Sequence, residues 1–163
     1  MTQYRIVPAT LDHVAEILPN LRQIDRIEGE IATGMPAEEA LRLSVQLSYE
    51  AIAGFADGKL IAIAGVAPVS VMSSVARPWM VGTDELPKHA MRFCRENRKY
   101  IKRWLEVFSR LENYVDAENT VAIGWLKWLG FELEKPVPWG DSGHEFIYFH
   151  QEVRPCAKPS QWD

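Results

Sequence analysis

The stretch from Leu111 to Phe131 constrains this chain more than any other. Leu111–Val115 reads as a strand, Asp116-Ala117-Glu118 leaves it, and an amphipathic helix runs from Asn119 to Gly130 before Phe131 opens another strand. Asn119 suits the N-cap, because its side-chain oxygen accepts from the unpaired amides of the first helical turn. Gly130 suits the left-handed residue that stops a helix. Strand, helix and strand are thus joined without a linker.

A second unit is as plain. Tyr49–Ala56, Asp57-Gly58 and Lys59–Ala67 read as a hairpin, since Asp-Gly supplies the positive φ angles of a two-residue primed turn. Leu60–Val66 is almost wholly apolar, which predicts a central strand buried on both faces. Pro68 ends it. Upstream, Gln3–Val7 predicts a short strand. Thr10 precedes a helix over Leu11–Leu21, with Val14, Ile17, Leu18 and Leu21 on one face and a break or kink at Pro19. Ile24–Ile31 and Ala37–Leu47 predict two more helices. Gly34-Met35-Pro36 separates them, with Pro36 in a first turn where its missing N–H costs nothing. Downstream, Ala76–Thr83 predicts a strand with a bulge or an unpaired start at Pro78. Pro87–Arg110 predicts a long helix, its apolar stripe drawn from Ala90, Phe93 or Cys94, Ile101, Trp104, Leu105 and Phe108. Phe131–Lys135 and Glu145–His150 predict the last strands, around a loop over Pro136–Gly143.

The chain has 163 residues, 47% of them hydrophobic, which suits one domain with a sizeable core. We place that domain at 1–152 and a flexible tail at 153–163. A net charge of -4 argues against a dedicated nucleic-acid binder. Lys88, Arg92, Arg95, Lys99 and Lys102 recur on one helical face, but Glu96 and Glu106 interrupt the charge, so that face reads as solvated. No apolar run is long enough to span a bilayer, and the opening MTQYRIVPAT lacks a signal-peptide pattern, so a soluble intracellular protein is expected. Cys94 in a predicted helix and Cys156 in the tail are not placed for a structural disulfide, which fits a reducing compartment. Cys94 is expected to pack. His144 and His150 lack partners at metal-ligand spacing, so no metal site is expected.

The spacing Asn119, Ala122 and Gly130-Phe131 resembles the last helix of the GCN5-related N-acetyltransferase (GNAT) superfamily, whose pattern is Asn, Ala three residues later, a Tyr, then Gly-Phe. The Tyr would fall where this chain has Leu126. The order of elements over residues 3 to 150 resembles that family as well. The resemblance implies an α/β (α+β) fold, a mixed and mostly antiparallel sheet flanked by helices, with a splayed parallel pair formed by Ala76–Thr83 and Leu111–Val115. One subgroup is closer. Trp79-Met80-Val81-Gly82-Thr83, the basic long helix, Glu112-Asn113-Tyr114-Val115, Asn119-Thr120 and Trp125-Leu126-Lys127 with Gly130 resemble the acyltransferase-like internal virion proteins of short-tailed bacteriophages. That group also carries Leu in place of the Tyr. This resemblance implies a phage-encoded protein of the host bacterial cytoplasm or the virion. Its partner would be an amine substrate, a host or virion protein, or a second copy of itself.

The same resemblance implies acetyl-CoA in the gap between the splayed strands, and acetyl transfer to an amine. Trp79, Met80, Val81 and Gly82 would line the pantetheine arm, with Asn119 and Ala122 facing it. Thr83 to His89 would meet the pyrophosphate, helped by the side chains of Lys88, His89 and Arg92. The loop departs from the family pattern. Gly82 is its one glycine, Asp84 and Glu85 bring negative charge, and Pro87 removes an amide. Leu126 cannot protonate a leaving thiolate, a service typically worth about 10²–10⁴-fold. Tyr114 stands beside the expected cleft as a substitute acid, although strand alternation also allows it to point into the core. Asp116 or Glu118, at the cleft mouth, would deprotonate the amine or else merely complement the helix dipole. Trp128 reads as core, while Trp125 and Trp139 read as core, as site lining or as protein contacts. A second reading keeps the fold as a non-catalytic binding scaffold, since a fold shared with enzymes is only an analogy for activity.

Overall fold

The computed structural model describes residues 1–153. Of the tail expected at 153–163, residues 154–163, Cys156 included, lie outside the described residues. The chain opens with β1 (Tyr4–Pro8) and α1 (Leu11–Ile17), then a 3-10 turn over Leu18–Asn20. Pro19 sits at the start of that turn, so the helix expected through Leu21 ends early, as a ring without an amide donor requires. Helices α2 (Gln23–Thr33) and α3 (Ala37–Leu47) follow. Gly34 stops α2 at φ 69° and donates its N–H to the Glu30 carbonyl.

The hairpin is the one the sequence implied. Strands β2 (Glu50–Ala56) and β3 (Lys59–Pro68) pair around Asp57 and Gly58, whose φ angles of 48° and 78° are those of a primed turn. Leu60 to Val66 is buried without a break. The strand β4 (Val75–Gly82) runs antiparallel to β3 with no irregularity at Pro78. Neither the bulge nor the unpaired start expected there occurs, since β4 begins at Val75 and Pro78 pairs with Val66, and a bulge lies instead between Gly54 and Phe55 of β2. Pro78 is accommodated differently, because its missing N–H faces the side of β4 where no strand pairs with it.

The long helix enters through a 3-10 turn, Leu86–His89, and becomes α4 over Ala90–Val107. Strand β5 (Arg110–Asp116) and α5 (Thr120–Leu129) complete the unit that opened the sequence reading. The Asn119 side chain accepts from the Ala122 amide at 3.3 Å, and Gly130 ends the helix at φ 96°. Strands β6 (Glu132–Leu133) and β8 (Glu145–Glu152) are joined by a segment that holds one more short strand, β7 (Val137–Pro138), where a loop was expected. The sheet order is β1-β2-β3-β4-β5-β8-β6, with β7 also on β8, and every pairing is antiparallel except β4 with β5.

Helices cover both faces. Val14, Ile17 and Leu41 of α1 and α3 pack with Ala53, Phe55 and Ile63 on one face. Ile101 and Trp104 of α4 pack with Val66, Leu111, Val115 and Phe149 on the other, and Ala122, Ile123, Leu126 and Leu129 of α5 close over that cluster. Removing such surface from water is the main stabilising term, roughly 25 cal/mol per Å². Cys94 is buried in this layer, and burial pushes its thiol pKa up, which suits a packing role. Trp128 departs from the core expectation. It is 45% exposed, because its place on α5 turns it outward, and Arg98 stacks over its ring at 4.2 Å.

Candidate active site

Strands β4 and β5 pair at only two positions, Val75 with Arg110 and Ala76 with Leu111. Beyond these, β4 continues to Gly82 and β5 to Asp116 without meeting. Pro78, two residues after the last pair, has no N–H to extend the ladder. The Asn113 Nδ2 donates instead to the Pro78 carbonyl at 3.0 Å, bridging the vertex of the gap with a side chain. The opening leads into a cavity of about 680 Å³ that passes through the sheet, with α2 and α3 on one side and α4 and α5 on the other.

The wide end of the gap is crossed by the start of α2. The Arg22 amide donates to the Gly82 carbonyl at 2.9 Å, and the Gly82 amide donates to Asp25 Oδ2 at 2.8 Å. Arg22 grips Asp25 with two parallel bonds of 2.9 and 2.7 Å, and both residues are buried. Backbone alternation along β4 then leaves the Met80 amide and carbonyl facing the gap between the two occupied ends, Pro78 and Gly82. One turn on from Asp25, Glu28 faces the same space and accepts from Asn119 Nδ2 at 2.9 Å. Its pKa is pushed up from 4.5 to about 7, first by burial, with the charges of Asp25 and Asp116 adding to the rise. The bond from Asn119 pulls the other way and does not prevail.

Of the residues singled out from the sequence, Trp79, Met80, Val81, Gly82, Tyr114, Asn119 and Ala122 line the cavity, and so do Leu126 and Trp125. Tyr114 does not enter the core. It is 39% exposed, with its ring 4.9 Å from that of Trp139. Trp139 is held to α2 through an Nε1 bond to the Ile31 carbonyl at 3.3 Å, so the loop aromatic is a wall of the cavity. Asn119 spends its side-chain oxygen on the Ala122 amide and one Nδ2 hydrogen on Glu28, which leaves the second Nδ2 hydrogen for a further partner.

Thr83, Lys88, His89, Arg92, Asp116 and Glu118 lie outside the cavity wall. Lys88 pairs with Glu85 at 2.7 Å. His89 Nδ1 shares a hydrogen bond with Tyr4 Oη at 2.8 Å, and Arg92 lies over the Tyr4 ring and pairs with Glu96 at 3.4 Å. The amides of Glu85, Leu86 and Lys88 are closed on Thr83 and Glu85. Asp116 is fully buried, accepts from the Glu118 amide at 2.9 Å and meets His144 Nδ1 at 2.9 Å. Asp116, Glu118 and His144 thereby come within 4.8 Å of one another, a grouping that sequence spacing did not suggest. His144 spends one ring nitrogen on Asp116, so the three form a hydrogen-bonded cluster as they stand.

These residues fit acetyl-CoA unevenly. The gap and the Met80 backbone suit a pantetheine arm. In the turn after Gly82 the amides of Thr83, Glu85, Leu86 and Lys88 are taken, so phosphates would rest chiefly on Lys88, His89 and Arg92, each of which would leave a present partner.

Glu28, Arg22 and Asp25 were not singled out from the sequence. The signal was there: three charged residues spaced three apart in a helix share one face, and here that face points inward.

The fold is that of an acetyltransferase. Three solved structures illustrate the likeness. An acetyltransferase of the GNAT family from Streptococcus pneumoniae superposes with a TM-score of 0.66 at 13% identity, over 93% of this chain and 100% of that one. The ribosomal-protein-S18-alanine N-acetyltransferase from Escherichia coli gives 0.64 at 17%, over 99% and 100%. The yncA structure from Salmonella typhimurium, which holds its cofactor acetyl-CoA, gives 0.63 at 12%, over 98% and 99%. At these identities the likeness is one of fold. No protein-family model and no curated protein sequence matches this chain.

Proposed function

We propose that this chain is an N-acetyltransferase of the GNAT type that uses acetyl-CoA and an amine acceptor, with Glu28 as its base. The carrying observation is the gap between β4 and β5 that opens, through the sheet, onto a carboxyl whose pKa lies near neutrality. Acetyl-CoA, when bound, supplies a thioester carbonyl that an amine nitrogen can attack. The Met80 backbone holds the arm in the gap, and Trp79, Val81 and Ala122 exclude water around it. Glu28 takes the proton that an ammonium must lose before its nitrogen becomes a nucleophile. A base is most useful when its pKa lies near the working pH, and Glu28 meets that condition. Asp116 is sealed behind His144, so it acts on Glu28 through its charge and not on the amine. Tyr114 carries a hydroxyl at the cavity wall and is the group we assign to protonating the leaving thiolate in place of the missing acid at Leu126.

The test is the release of free thiol from acetyl-CoA in the presence of amines. The expected result is turnover that falls by about 10²–10⁴-fold in Glu28→Gln. Turnover unchanged by that substitution would remove Glu28 from the mechanism, and no thiol release with any amine would remove the activity.

A second reading is supported by Leu126 and by the self-closed turn after Gly82. In it the chain, encoded by a phage, keeps the fold as a scaffold and acts by binding a virion component or a host enzyme. Recovery of one such protein in complex with the pure chain, together with absent thiol release, is the outcome that reading requires.

A further inference from the structure

The cavity half bounded by α2, α3, Trp79, Tyr114 and Trp139 is built from two kinds of group. Its walls are mostly apolar or aromatic, and most side-chain polar atoms among them, the Tyr114 hydroxyl apart, are already paired. Trp79 Nε1 donates to Ser48 Oγ at 2.9 Å and Trp139 Nε1 to the Ile31 carbonyl at 3.3 Å. Thr33 Oγ1 and Ser44 Oγ donate to carbonyls of their own helices at 2.7 and 2.8 Å. Asn113 and Asn119 are bonded to Pro78 and Glu28. A ligand rich in hydroxyls would lose water here and find few partners, which is costly for each group left dry.

The charges are as selective. Asp25 is neutralised by Arg22. Glu28 makes no ion pair within 4 Å among the described residues and meets the Arg22 charge only at longer range, so of the two carboxyls in the wall it is the one without a direct salt-bridge partner. Arg77 stands at the exposed rim, where it repels a second positive charge. The Trp139 and Tyr114 rings meet edge to face with centroids 4.9 Å apart, are backed by Phe146 and Tyr148, and give the cavity an aromatic wall.

Resting on the acetyltransferase reading, we infer that the acceptor is a primary monoamine carried on an aromatic body, its ammonium set against Glu28 and its ring between Trp79 and the Trp139–Tyr114 pair. A polyamine lacks the second carboxylate it would need, and an aminoglycoside brings hydroxyls the walls cannot satisfy. A singly charged aryl-alkylamine meets both conditions.

Calorimetry on the full chain separates this inference from the reading beneath it. Tryptamine, phenethylamine, spermidine and tobramycin are each titrated into the protein without acetyl-CoA, and acetyl-CoA is titrated separately. The expected result is binding of tryptamine and phenethylamine at least tenfold tighter than spermidine or tobramycin, with indole-3-propionate, which lacks the ammonium, not binding. Trp139→Leu is expected to weaken tryptamine at least tenfold while leaving acetyl-CoA affinity within twofold. Equal or tighter binding of spermidine or tobramycin overturns the inference, as does an unchanged tryptamine affinity in Trp139→Leu. Acetyl-CoA binding without any aromatic amine binding overturns the inference and leaves the reading standing. The reverse pattern leaves the amine site standing and removes the reading.

Discussion

Three carboxyls crowd the wide end of the gap, and their surroundings treat them differently. Asp25 has Arg22 and the Gly82 amide, and Asp116 has His144 and the Glu118 amide, while Glu28 has only neutral partners, the Asn119 side chain and the Asp116 backbone. Burial, with the Asp25 and Asp116 charges adding to it, therefore raises the Glu28 pKa to about 7. A raised carboxyl pKa means that the folded chain keeps a proton which the unfolded chain has lost between pH 4.5 and about 7. The stability it contributes is present below that window and is lost as pH rises through it. Glu28→Gln is expected to flatten this dependence, on the order of 2 kcal/mol after allowance for the water the carboxyl still meets. Urea midpoints at pH 5.5 and 8 check it. Activity should follow the opposite sign and rise as pH passes about 7, because the ionised form is the base. Asn119→Ala removes the bond that lowers the Glu28 pKa, so the rising limb of the pH–rate curve should move to higher pH. The lost cap should also cost about 1–2 kcal/mol in denaturant unfolding. At Leu126, which lines the cavity, Leu126→Tyr places a proton donor in the cleft, and thiol release should rise by about 10-fold or more.

At the scale of elements, the gap exists because β4 is fully paired on one side and abandoned on the other. Pro78 denies β5 an amide, and Gly82 hands both its backbone groups to α2. Trp79 lies flat because position 65 is glycine. A β-carbon there would stand 2.9 Å from the indole and 2.8 Å from the Glu50 carbonyl. Gly65→Ala should cost about 1–3 kcal/mol and shift the indole fluorescence as Trp79 is displaced. The elements most visible in the sequence were those with local punctuation. Asp57-Gly58 named its turn, and Asn119 and Gly130 named the ends of α5. The elements misjudged lacked such marks. Strand β7 exists because β8 offers an edge to pair with, which no local pattern reveals, and β6 covers only the middle of the strand expected over Phe131–Lys135. The Pro78 bulge was a reasonable reading of a proline in a strand, but it could not show which side of the strand lay open.

Across the whole molecule, the fold was legible because its pieces follow in a characteristic order and the apolar run in β3 marks the sheet centre. The site was legible along β4, β5 and α5, where strand order alone brings residues to the gap, and at the loop aromatic Trp139. Arg22, Asp25 and Glu28 were hidden because a charged helix face reads the same whether it meets water or a buried strand edge. The candidate phosphate ligands Lys88, His89 and Arg92 were read from their place after β4. The structure instead gives each a partner within its own surroundings, Glu85, Tyr4 and Glu96. All of this converges on whether the gap between β4 and β5 receives a thioester arm. The direct measurement is calorimetric titration of acetyl-CoA into the pure chain, with unfolding temperature followed in parallel. One molecule bound per chain, with a raised unfolding temperature, is the expected result. No heat and no shift at millimolar acetyl-CoA would contradict it.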